Sequence, residues 1–108
     1  MLEISVRKIA QVILMARELK RAERELRGFL EDLNEDEAAS LVAVMWIGRD
    51  SFTAADLDEA IETAKNEATT PTVDYLLGTP HLSDHLENGL AELGLDASEE
   101  EDDLIRGG

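Results

Sequence analysis

His81 and His85 are the residues whose type and spacing come nearest to metal chemistry. Four positions apart on a helix, two imidazoles share a face about one turn apart, which is how zinc proteins use the spacing. Asp84 and Glu87 stand close by, but no HExxH glutamate and no distant third ligand accompany the pair. The plainer reading is two solvent-facing histidines at a helix start, so no metal is assigned. Ser83 lies between them and invites a nucleophilic role. Side chains two apart on a helix diverge, however, and neither a nucleophile elbow nor an oxyanion-hole pattern appears. No catalytic residue and no cofactor follows.

Trp46, the only tryptophan, forms a second cluster with Gly48 and Arg49. Stacking on Trp46 and a guanidinium clamp from Arg49 would suit a carboxylate or a phosphate, on a ligand or on a partner. The structural alternative is that Trp46 fills the core while Arg49 pairs with acids at the helix end. A third group is the basic stripe Arg17, Lys20, Arg21, Arg24 and Arg27. It lacks interleaved aromatics, so pairing with Glu residues of its own helix, with an acidic helix or with the tail is expected instead of nucleic acid. The ending Gly107-Gly108 matches the diglycine of ubiquitin-like modifiers, which are β-grasp folds; in a helical chain it reads as coincidence.

The elements that must position these residues are helices. Asn34 can cap, and Glu37 completes a capping box three residues on. From Ala38 to Ile47 nearly every residue is apolar, so the spacing predicts a helix over about 35–47 that is buried all round, closed by a left-handed Gly48. Upstream, Ile9, Val12, Ala16, Leu19, Leu26, Leu30 and Leu33 predict one long amphipathic helix from Val6 to Leu33, capped by Ser5, with a kink near Gly28. Its stripe approximates heptad spacing, which suggests a homodimer through helix 1. A third helix starting at Ser51 or Thr53 buries Leu57, Ala60, Ile61, Ala64 and Ala68. Its outer face is acidic, with Asp56, Asp58, Glu59, Glu62 and Glu67. Thr70-Pro71 opens a short helix that Gly78 closes, and Thr79-Pro80 opens the last one, Pro80–Leu93, stopped at Gly94.

Composition bounds the classes. The 108 residues fit one domain, and the 44% apolar share is globular. The net charge is −15: residues 1–30 carry seven Lys/Arg against four Glu, and the remainder three against 21 acids. That balance argues against nucleic acid and anionic membranes, and no apolar run reaches a membrane span. The N-terminus lacks a signal-cleavage pattern and reads as mature protein. The lack of cysteine removes disulfides and thiolate chemistry, and fits the cytosol.

Two blocks, LNEDEAASLVAVMWIGRD and YLLGTPHLSDHLENGLAELG, together resemble the bacterial domain-of-unknown-function family 3775 over roughly residues 2–95. The resemblance implies a compact helical domain without assigned chemistry, and it transfers no functional residue. The expected fold is all-α: about five helices around the central one as a domain over 1–95, then an acidic, flexible and disordered tail over 96–108. The expected function is a non-enzymatic interaction or regulatory module in the cytoplasm. The alternative is a small-molecule- or metal-binding protein, an enzyme among them, using Trp46/Arg49 or His81/His85.

Overall fold

The computed structural model describes residues 1–67 and 71–106. Ala68, Thr69, Thr70, Gly107 and Gly108 lie outside them, so the expected burial of Ala68, the Thr70 cap and the diglycine have no structural counterpart to compare. Within the described residues the chain is all-helical. It has seven α-helices where about five were expected: α1 Val6–Arg17, α2 Leu19–Glu31, α3 Glu35–Gly48, α4 Leu57–Asn66, α5 Thr72–Leu77, α6 Leu82–Glu92 and α7 Ser98–Ile105. A 3-10 turn, Ala54–Asp56, leads into α4. None of the helices is long and apolar enough to cross a membrane.

α3 begins as its sequence dictates. The Asn34 side chain accepts from the Glu37 N–H, and the Glu37 carboxylate accepts from the Asn34 N–H. Leu41, Met45 and Ile47 are fully buried, each worth roughly 1.5–3 kcal/mol. Ser40, also fully buried, accepts a hydrogen bond from the Glu3 N–H at 2.9 Å, which explains a hydroxyl in so apolar a helix. The same bond ties down the N-terminal strap that buries Ile4. α4, α5 and α6 pack around α3, while α1 lies on α6.

Gly48 does not end α3 in the expected way. It is still helical, and the left-handed residue is Asp50 (φ 65°). Ser51 N–H bonds Trp46 C=O and Asp50 N–H bonds Ile47 C=O, the pair of bonds that defines a Schellman cap. Gly48 is needed for something else. A Cβ there would stand 1.7 Å from the His85 carbonyl oxygen of α6, and a Cβ on Gly89 would stand 2.1 Å from the Val44 carbonyl oxygen. Two glycines thus let the α3 and α6 backbones touch.

The long first helix is two. The chain leaves helical geometry at Glu18 (φ −111°, ψ 38°), while Gly28 sits inside α2 with open space around it. No local breaker marks Glu18. The turn lets α1 press Ile9, Val12 and Ile13 against the body while α2 carries Leu26 and Leu30 to α5. Those five residues are almost wholly buried within the chain, whereas Ala16, Leu19 and Leu33 of the expected stripe are only half-buried.

The tail is folded rather than disordered. After Gly94 (φ +76°) closes α6, residues 98–105 form α7 against α1, burying Ala97 and packing Leu104 on the core. Glu100 and Asp103 pair with Arg7, and Glu101 pairs with Arg17. The acidic run is drawn to the one part of the chain with a basic excess.

Candidate functional site

The last turn of α3 presents Trp46 toward α5, where it meets Tyr75. Trp46 Nε1–H donates to the Tyr75 hydroxyl at 2.8 Å. Its ring stacks on Phe52 in the loop after α3, with centroids 5.6 Å apart and planes inclined by 23°. The indole is half-buried and touches both apolar clusters of the core, so the packing role expected of it is real.

Arg49 is exposed and departs from the expected pairing with acids. Its Nε donates to Ser51 Oγ at 3.1 Å and its Nη2 to the Tyr75 hydroxyl at 3.3 Å; no carboxylate of the described residues pairs with it. The position suits a cation, because the α3 carbonyl ends point there. The Tyr75 oxygen accepts from two donors and has one proton of its own to give. Among the described residues nothing accepts that proton, and nothing accepts from Arg49 Nη1. The Tyr75 hydroxyl and the Arg49 guanidinium thus stand beside one another with donor capacity left over, next to the Trp46–Phe52 stack. This is a donor set that fits an oxyanion, a carboxylate above all.

Tyr75 was not singled out in the sequence. The available signal was its uniqueness: it is the only tyrosine, inside the YLLG block, and it bonds the only tryptophan. α5 places it, anchored by the fully buried Leu76 and by Asp74, which pairs with Arg27 of α2 at 3.0 Å.

The two histidines are not brought together as a helical i, i+4 pair. His81 lies outside α6 as its N-cap residue, in the left-handed region (φ 58°), so α6 begins at Leu82 instead of Pro80. Its imidazole is 77% exposed and 3.9 Å from Asp84. His85 lies within α6, where its backbone carbonyl abuts Gly48. Among the described residues no three His, Asp or Glu side chains converge as a metal cage would require. His81, Ser83 and Asp84 instead rim a cleft of about 460 Å³ whose wall includes Leu19 and Leu76.

The basic stripe divides. Arg17 pairs with Glu87 of α6 and Glu101 of α7, and those two carboxylates, Glu87 foremost, raise its pKa. Lys20, Arg21 and Arg24 make no ion pair among the described residues and face solvent. Lys8 of α1 pairs with Glu37, and that bond, helped by the Asn34 N–H, holds the Glu37 carboxyl below its ordinary range.

No curated protein and no solved structure matches the chain. Residues 23–95, more than half of its length, match the family described as "Protein of unknown function (DUF3775)", a span that contains Trp46, Arg49, Tyr75 and both glycines of the α3–α6 contact. The chain belongs to the DUF3775 family.

Proposed function

We propose that this protein is a non-enzymatic interaction module that recognises a carboxylate of a partner protein at Arg49 and Tyr75. One observation carries the reading: the Tyr75 oxygen receives hydrogen bonds from Trp46 and from Arg49 Nη2, which leaves its own proton to be donated beside the Arg49 guanidinium. In a chain of net charge −15, an arginine that bonds two hydroxyls and no carboxylate is placed for an acid from elsewhere. An exposed pair of this kind contributes modest affinity and fixes orientation, as befits one contact point within a larger interface.

Trp46 is a built-in reporter. Titrating the protein with sodium acetate against sodium chloride at equal ionic strength should give a saturable change in Trp46 emission with acetate alone. Arg49→Met and Tyr75→Phe should abolish it. Equal responses to both salts, or an unchanged response in Arg49→Met, would remove the proposal. Affinity capture from the native cell should then retain a protein that Arg49→Met loses.

A further inference from the structure

We infer that α7 is a displaceable acidic arm, and that the face it covers is a docking surface for an acidic amphipathic helix of a partner. That face comprises Arg7 and Arg17 of α1 and the end of α6. The inference is independent of the Arg49–Tyr75 site.

α7 is held mainly by charge. Glu100 and Asp103 reach Arg7 at 3.2 and 2.7 Å, and Glu101 reaches Arg17 at 2.5 Å. Both arginines are 41% exposed, and the two Arg7 pairs, open to solvent on both sides, contribute little to stability; Glu101 is buried, so its pair with Arg17 is the arm's one enclosed anchor. The apolar contribution is small: Ala97 is buried, Leu104 is half-buried, and Ile105 is 71% exposed. Eight residues, with one N-terminal N–H bonded by the Asp96 carboxylate, cannot sustain a helix alone, so an undocked α7 is an unfolded α7. The whole ordering cost of the arm opposes these few contacts.

The surface beneath is better built than its occupant. Arg17 is oriented by Glu87 of α6 at 2.6 Å, a contact that does not depend on α7. Between the end of α6 and α7 lies a cleft of about 330 Å³ whose apolar lining is Leu90, Ala91, Leu95 and Ala97. The apolar part of the arm that lines it is only the methyl group of Ala97, the N-cap residue of α7, beside the polar Ser98 and Glu101 of the helix itself. A helix with the same spacing of acids and a larger apolar residue at that position fills the cleft and keeps both arginine contacts. The arm also lies beyond residue 95, where the match to the family ends, and it follows the left-handed Gly94 and three non-helical residues. Its chemistry names the occupant that can replace it, namely an acidic helix that meets Arg7 and Arg17 as Glu100, Glu101 and Asp103 do.

The probe is a fluorescein-labelled peptide of residues 95–106 carrying Ala97→Leu, offered to the full chain and to its Glu101→Lys variant. Reversing Glu101 sets two cations together under the arm and expels it. Because the tethered arm competes at high effective concentration, the peptide should bind Glu101→Lys about tenfold more tightly than the unaltered chain. Adding Arg17→Glu should abolish that binding. Equal affinity for both chains, or binding indifferent to Arg17→Glu, overturns the inference. Native-state hydrogen exchange of the unaltered chain tests it without any variant. The α7 amides should exchange at least about a hundredfold faster than the α3 amides. Equal protection of the two helices would make α7 part of the body and overturn the inference.

Discussion

At the scale of the residue, three glycines in helices do opposite things. Gly48 and Gly89 each have a backbone carbonyl of the facing helix where a side chain would begin. Neither helix can yield without the other, so Gly48→Ala and Gly89→Ala should each destabilise the fold by about 3 kcal/mol or more, read as a loss of urea midpoint. Gly28 has nothing near it, and its flexibility only costs helix stability. Gly28→Ala should therefore stabilise by about 0.5–1 kcal/mol. The sequence shows all three glycines and gives no means of ranking them. A helix-terminating role for Gly48 was the natural reading because contact between α3 and α6 joins residues about forty positions apart. Asp50 took the left-handed position instead, which a short polar side chain tolerates.

At the scale of the element, α3 was the most legible segment because its signals are local. The capping box needs only Asn34 and Glu37, and a run of apolar residues says by itself that all faces are buried. What the sequence did not show is that Lys8 from α1 also reaches Glu37. Together these contacts depress the Glu37 pKa below its ordinary 4.5. The sign is that of a carboxylate stabilised in its charged form. Its contribution is complete above about pH 4.5 and is lost as pH falls through the lower, folded value. Glu37→Gln keeps the cap and removes the ion pair, so it should lower the melting temperature near pH 7. The gap between variant and wild type should narrow as pH falls through the depressed folded value. The break at Glu18 was illegible for the opposite reason: nothing local causes it, and the demand that α1 and α2 bury their stripes against different partners does.

At the scale of the whole molecule, charge is the dominant fact. Acids outnumber cations 25 to 10, and the contact pairs engage only some of the cations. Repulsion among the remaining acids acts over distances comparable with the Debye length, whereas contact pairs are screened much less. The melting temperature should accordingly rise between 10 mM and 0.5 M sodium chloride, which differential scanning calorimetry would show; a fall would mean that the ion pairs outweigh the repulsion. Composition and periodicity by themselves determined the helical class, the central place of α3, its cap and the acidic face of α4, because each follows from neighbours within a turn or two. Only the tertiary structure decided where the long helix breaks, which glycines are contact points, that the acidic tail folds onto Arg7 and Arg17, and that Tyr75 joins Trp46 and Arg49. Those features depend on side chains and backbones that meet only when distant segments pack, and no spacing along the chain records which segments will meet.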